Sequence, residues 1–190
     1  MEKSMVFTFG RFNPPTNGHI LLLDVVMAQA ATLQADHAVF MSRTQNSKKD
    51  PLDWEFKNRI LKLASPNVNV ADYPEIKTPF QALEKIANDG YKKVIFVAGS
   101  DRVIEFQTSM MPYAKQWGIE YFTVKCAGLR NNFSDDVKGT SSSKLRAHAM
   151  HNRFKEFCDG LATGIPEEMQ LEIFSKIRET CNEELYCAIT

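Results

Sequence analysis

Two rhythms of apolar residues alternate along this chain. Short runs of β-branched and aromatic residues give way to longer stretches in which apolar positions recur every three or four residues. "MVFTF" (Met5 to Phe9) predicts a first strand, and "HILLLDVVMAQAATLQ" after it a helix that contains neither Gly nor Pro. "HAVFMS" (His37 to Ser42) predicts a second strand, followed by a polar loop and a helix through "LDWEFKNRILKLA", with Pro51 in its first turn. "VNVAD" predicts a short strand, "PFQALEKIAND" a helix ended by Gly90, "KKVIFVAGSD" a further strand with a helix beginning near Asp101, and "IEYFTVK" another strand. "TSSSKLRAHAMHN" starts a helix, and "PEEMQLEIFSKIRET" makes one more, opened by Pro166 and acidic residues. Strands alternating with helices of this length require right-handed crossovers. The predicted class is α/β: a Rossmann-like, doubly wound parallel sheet with helices on both faces, plus C-terminal helices. Residues 1–150 are expected to form that domain and 151–190 a helical segment packed on it.

Composition narrows the reading by exclusion. The 190 residues are 44% hydrophobic and 24% charged, ordinary values for one globular core. The 23 basic residues balance 23 acidic ones, so no excess charge is available for nucleic acid, though a local basic site for a small phosphorylated ligand remains open. No stretch approaches the roughly 18 apolar residues of a membrane span, and "MEKSMVFTFG" has no apolar core of a signal peptide. A cytoplasmic protein with no membrane partner is expected. Cys126, Cys158, Cys181 and Cys187 show neither C-x-x-C pairing nor zinc spacing, so free thiols and no protein metal site are predicted. The 126–139 segment, "CAGLRNNFSDDVKG", has little periodicity and is expected to be a long loop whose Arg130 and Lys138 close over a ligand.

The chemistry concentrates in two places. "TFGRFNPPTNGHILLL" delivers Thr16, Gly18 and His19 to the first turn of a helix that follows a strand end, where ligands of open parallel sheets bind. Helix N-terminal N–H groups favour an anion, Gly18 lets it approach the backbone, and His19 and Thr16 can donate to phosphate oxygens. "KGTSSSKLR" sets Ser141, Ser142 and Ser143 at a helix start, with Lys144 and Arg146 behind them. Taken singly, the first stretch also reads as a prolyl turn with a helix cap and the second as a serine-rich linker; together they read as two phosphate cradles. Neither the G-x-G-x-x-G nor the G-K-[ST] spacing is present.

T16-N-G-H19 and S141-S-S-K-L-R146 resemble the paired [HT]-x-G-H and S-[ST]-S-[ST]-x-x-R motifs of the nucleotidyltransferase superfamily, the cytidylyltransferase-like group. Thr140 and Ser143 are mild departures from its usual I-S-S-T-x-[IL]-R. "GRFNPPTNGH" is similar to the opening of NMN, nicotinate-mononucleotide and phosphopantetheine adenylyltransferases, and "VAGSD" (Val97 to Asp101) to the strand end that approaches the nucleotide. The resemblance spans about residues 5 to 150. It implies transfer of a nucleoside monophosphate from an NTP, with ATP expected, to a small phosphorylated acceptor, with release of pyrophosphate. Mg²⁺ is implied as a cofactor held mainly by the substrate phosphates.

The resemblance also implies roles. His19, Thr16 and Arg146 would be catalytic: His19 and Thr16 hold the triphosphate, and Arg146 with Ser141, Ser142 and Ser143 grips its β- and γ-phosphates. Gly10, Arg11, Phe12, Asn13, Gly18, Gly99 and Asp101 would complete the nucleotide site, Asp101 either orienting a ribose or metal-bound water or capping the helix near it. "SRTQNSKKDPLDWEFKNRI" has the outline of the archaeal-type NMN enzymes' S-x(n)-N-P-F-[ST]-x-x-E-R, with Asp50-Pro51-Leu52 for N-P-F and Asn58-Arg59 for E-R. Lys48, Lys49, Trp54 and Arg59 are accordingly candidates for the acceptor, Trp54 also reading as core packing. His148 and His151 read as surface groups. NMN leads as acceptor. Phosphopantetheine with ATP, a CTP-dependent cytidylyltransferase and a non-catalytic nucleotide-binding regulator are the alternatives. An aminoacyl-tRNA synthetase is disfavoured because neutral charge leaves no footprint for tRNA. The C-terminal segment looks amphipathic, fit to pack on the sheet domain or to form a subunit contact in a homo-oligomer.

Overall fold

The computed structural model describes residues 2–46, 48–128 and 141–187. Its strands are β1 (Ser4–Gly10), β2 (Asp36–Met41), β3 (Val70–Ala71), β4 (Lys93–Ala98) and β5 (Tyr121–Cys126), and its helices α1 (Asn17–Leu33), α2 (Trp54–Ala64), α3 (Pro79–Asn88), α4 (Val103–Gln116), α5 (Ser142–Met150), α6 (Phe154–Gly160) and α7 (Glu167–Cys187). All strand pairs are parallel, in the order β3-β2-β1-β4-β5. The order reverses direction on either side of β1, which makes the fold a Rossmann-like, doubly wound α/β sheet with additional C-terminal helices. The long loop expected to close as a lid, with Arg130 and Lys138, lies outside the described residues.

The chain forms two compact units. The first comprises Met1–Gly10, Leu21–Ser42 and Val68–Arg130. Its sheet is apolar on both faces because side chains alternate along each strand. Phe7, Phe40 and Phe96 face one way, into a cluster with Ala82, Leu83 and Ile86 of α3 and Met110 and Ala114 of α4. Val6, Ile95 and Val97 face the other way, against Val26 and Ala30 of α1. Phe7 stacks on Phe96 with ring centroids 4.6 Å apart and meets Phe40 edge-on, and truncating such a buried ring costs roughly 3–5 kcal/mol.

The second unit comprises Arg11–Ile20, Arg43–Asn67 and Asn131–Thr190. Its core joins Leu52, Phe56 and Ile60 to Leu145 and Ala149 of α5, Phe157 of α6, and Ile173, Phe174 and Ile177 of α7. Ile173, Phe174 and Ile177 of the C-terminal helix are thus buried within this unit.

Three helix starts follow side-chain chemistry. Thr78 and Gln81 make a capping box with Pro79 in the first turn of α3, and Ser141 accepts from Lys144 N to cap α5. At α2 the sequence reading needs correction: Pro51 lies before the helix, and Asp53 is its N-cap, accepting from Phe56 N at 2.7 Å. Nor does Asp101 cap α4, whose N-cap position is Arg102 with no side-chain cap bond. The seven residues of α6 are too few to show a helical period, so no sequence pattern announced them. Among the described residues no helix is long and apolar enough to cross a membrane.

Candidate active site

The loop after β1 turns its side chains to opposite purposes. Arg11 is exposed, whereas Phe12 and Asn13 are buried. Phe12 sits at φ 50, a left-handed conformation that costs a non-glycine residue roughly 1–3 kcal/mol. Burial of its ring offsets that cost, and the ring packs on the His19 imidazole at 4.8 Å between centroids. The sequence reading set Phe12 and Asn13 on the nucleotide; the structure turns both inward. The Asn13 amide donates to Asp50 Oδ1 and Leu52 O and accepts from Leu52 N, so it ties the loop to the start of the α2 segment.

Thr16 also faces inward. It is fully buried, and both its backbone N and its Oγ1 lie 3.0 Å from His19 Nδ1. Its hydroxyl acts on the histidine from behind. Because the backbone N–H can only donate, Nδ1 is the accepting nitrogen, and the neutral ring carries its proton on Nε2. The imidazole therefore presents an N–H donor on its far side. His19 N and Ile20 N both bond to Thr16 O, which begins the helix, and Gly18 lies in that first turn, half-buried. The strand-like contact of Thr16 with Leu161, Ala162 N to Pro15 O at 3.2 Å, and Thr163 N to Asn17 Oδ1 at 2.9 Å brace the loop from the segment after α6.

The three serines divide their work. Ser141 Oγ caps α5, Ser142 Oγ donates to Pro14 O at 2.9 Å, and Ser143 Oγ accepts from Arg146 Nη2 at 3.2 Å. Arg146 also donates from Nη1 to Asn13 O at 2.6 Å and from Nε to Lys48 O at 3.0 Å. Three of its five N–H groups are thus used to hold two loops together, and one on each terminal nitrogen is left for a ligand. Burial pushes the Arg146 guanidinium below its ordinary value, and the positive charge of Arg11 pushes the same way, against Cys181 and Asp50. Cations crowded in this manner favour a polyanion between them.

Lys48 and Lys49 stand exposed on a turn in which Asn46 Oδ1 accepts both of their backbone N–H groups, at 3.1 and 3.0 Å. Trp54 is buried at the start of α2 with the Arg43 guanidinium 4.0 Å above its ring, so one aromatic face is covered. Arg59 departs from expectation: half exposed, it pairs with Glu172 of α7 and stays with the helical packing. In the other unit, Gly10 ends β1, and Gly99 follows the adjacent β4. A Cβ on Gly99 would come within 2.8 Å of Asp101 Oδ1, so the glycine makes room for that carboxylate.

Asp50 and Lys57 belong to this site and were not read from the sequence as side chains with a task. Both are buried, and Lys57 Nζ lies 3.3 Å from Asp50 Oδ1. Burial pushes the Lys57 ammonium below its ordinary value, Asp50 opposes that shift, and Arg11 adds to it. The signal was present: Trp54, Lys57 and Leu61 share one face of α2, so a lysine interrupts an apolar stripe. Counted from Asp50, N-P-F-[ST]-x-x-E-R also puts its arginine position at Lys57, two residues before Arg59.

Among the described residues no group of three or more His, Cys, Asp or Glu side chains converges as a metal site. The donor set is one of N–H groups and cations, suited to phosphate oxygens.

Fold and loop together place the protein in the Rossmann-like α/β class that handles nucleotides at a strand-to-helix turn. The cytidylyltransferase-like family model matches residues 7–148, and the chain belongs to that family of nucleotidyltransferases. No curated protein matches the sequence significantly. Among solved structures, Plasmodium falciparum nicotinic acid mononucleotide adenylyltransferase complexed with NaAD is similar at TM-score 0.62 and 13% identity, over 94% of this chain and 98% of its own. Thermotoga maritima TmcAL is similar in its apo form at TM-score 0.53 and 15% identity over 93% of this chain, and with alpha-thio ATP at TM-score 0.51 and 15% identity over 94%. This chain spans only 57% and 56% of those TmcAL chains. At such identities the likeness is one of fold.

Proposed function

We propose that this nucleotidyltransferase moves an adenylyl group from Mg²⁺-bound ATP to the phosphate of a small acceptor, NMN first among them, and releases pyrophosphate. The observation that carries the reading is the contact between Thr16 N–H and His19 Nδ1. With Nδ1 held by Thr16 N–H at 3.0 Å, Nε2–H can donate to a phosphoryl oxygen. An acceptor phosphate oxygen attacks the α-phosphorus, the bond from that phosphorus to the β-phosphate oxygen breaks, and the electron pair leaves with pyrophosphate. His19 keeps its proton throughout and stabilises the charge that builds on the equatorial oxygens of the transition state. Arg11 and the two remaining Arg146 N–H groups meet the departing phosphates, while Lys48 and Lys49 lie on the loop that Arg146 holds and would attract the acceptor phosphate. The chain's work is positioning and charge, with no covalent intermediate.

That the Plasmodium protein of similar fold is a nicotinic acid mononucleotide adenylyltransferase supports a pyridine mononucleotide, nicotinate mononucleotide included, over phosphopantetheine. The test is pyrophosphate release with ATP or CTP crossed against NMN, nicotinate mononucleotide, phosphopantetheine and FMN. Release with ATP that requires NMN is expected. Binding of ATP without release against any acceptor would refute the transfer reaction, and release with CTP or another acceptor would replace the named substrates.

A further inference from the structure

Resting on that reading, we infer that the buried pair of Asp50 and Lys57 positions the triphosphate grip: it aims Asn13, and through the Asn13 carbonyl it sets Arg146. The links are continuous. Lys57 Nζ holds Asp50 Oδ1 at 3.3 Å, the same oxygen accepts from Asn13 Nδ2, and Asn13 O accepts from Arg146 Nη1 at 2.6 Å. Arg146 passes the constraint on to the loop of Lys48 and Lys49 through the Lys48 carbonyl, 3.0 Å from Nε. Every member up to Arg146 is buried: Lys57 and Asn13 have 0% relative exposure and Asp50 1%.

Stability alone supplies no reason for this pair. Removing two charges from water is costly, and apolar residues of similar volume commonly serve as well or better. Asp50 Oδ2 is buried with no hydrogen-bond partner, so the pair does not even satisfy its own acceptors. What the arrangement supplies is direction. Asp50 Oδ1 is an acceptor that faces the Asn13 amide, and Lys57 holds that oxygen in place. A shift at Asn13 would move a carbonyl to which the guanidinium is bonded, and displacements of about 1 Å at a grip of this kind cost large factors in rate. Asp50 and Lys57 are thus positioning residues, while Arg146 touches the substrate.

The experiment compares full-length variants by calorimetric Kd for Mg²⁺–ATP, KM and kcat in pyrophosphate release, and thermal melting. Asp50→Leu/Lys57→Met removes both charges and the acceptor for Asn13. It is expected to melt within a few degrees of the parent and to bind ATP about tenfold more weakly. Asp50→Asn/Lys57→Met restores an acceptor for Asn13 Nδ2 and is expected to recover binding to within about threefold of the parent. Should the apolar pair fail to fold, Asn13→Ala cuts the same chain at its other end. It is expected to weaken binding similarly in the parent and to add nothing further to Asp50→Leu in any folded background. Parent Kd and KM in folded Asp50→Leu/Lys57→Met or in Asn13→Ala would overturn the inference, because a structural role alone lowers melting and leaves the folded fraction's affinity unchanged. A parent that binds ATP yet transfers nothing overturns the reaction proposed above while the comparison of Kd values still decides this inference. A parent that binds no triphosphate overturns both.

Discussion

Arg146→Lys keeps the charge of the second cradle and removes its geometry. In the parent the guanidinium reaches Asn13 O at 2.6 Å, Lys48 O at 3.0 Å and Ser143 Oγ at 3.2 Å from three different nitrogens. A lysine head is a single point, so it can keep about one of these links and leaves two of the three acceptors without their donor. Hydrogen bonds to a charged donor are worth about 1.5–3 kcal/mol when buried. Arg146 is only half-buried and its bond to Lys48 is exposed, so about 1 kcal/mol for each lost link is the appropriate scale. Two lost links give about 2 kcal/mol, which corresponds to roughly 30-fold in affinity. The assay is the KM for ATP in pyrophosphate release at saturating acceptor, with calorimetric Kd as a check that KM reports binding. Because the links stabilise the loops that frame the triphosphate, KM is expected to carry most of the loss and kcat a smaller part. Arg146→Ala, which also removes the charge, should lose more than the lysine variant. A lysine variant that binds ATP within threefold of the parent would refute the reasoning, since charge alone would then suffice.

At the first cradle, the proposed reaction has the His19 ring face developing charge, so His19→Ala should cut kcat by more than about a hundredfold with the fold intact; retention of half the activity would refute the assignment. Thr16→Val removes only the Oγ1 contact and leaves the backbone N–H on Nδ1, so about 0.5–1.5 kcal/mol, or roughly two- to twelvefold in kcat, is expected. A hundredfold loss there would mean that the hydroxyl itself meets the substrate. Asp53 gives an acid-stability prediction: burial pushes its carboxyl up, but bonds from Lys176 and Phe56 N outweigh that and leave it below its ordinary value. A depressed folded value stabilises the native state above the unfolded carboxyl value near 4, and that stability is lost as pH falls through the folded value. Thermal melts of the parent should therefore fall more steeply than those of Asp53→Asn below about pH 4; parallel curves would show that the Lys176 pair is inert.

Much of the architecture is legible from local pattern. Alternating strand and helix periods fix which faces of β1 and β4 must be covered, and two-sided burial of Val6 and Phe7 requires helices on both sides. The helix starts that carry His19 and Arg146 are legible too, because each rests on residues within a few positions of it. Elsewhere the pattern erred for identifiable reasons. Thr16, Ser142 and Ser143 are expected on the phosphate since hydroxyls at helix starts commonly serve so; Thr16 and Ser143 instead meet His19 and Arg146 three residues on, and Ser142 meets Pro14, a neighbour that only folding brings near. Arg59 lies two residues from Lys57, and a helix turns about 200° over two positions, so one faces α7 and the other enters the interior. The brace from Leu161, Ala162 and Thr163 onto the His19 loop joins residues some 145 apart, as Thr163 to Asn17 shows, and no periodicity encodes such a contact.

The sequence by itself therefore determined the class of fold and the order of its longer elements, because each depends on residues within a few positions of one another. Only the tertiary structure decided which donors and acceptors pair across the chain, since partners far apart in sequence meet only by through-space distance. That allotment brought Asp50 and Lys57, silent as a pair in the sequence, into contact with Asn13 and so into reach of Arg146.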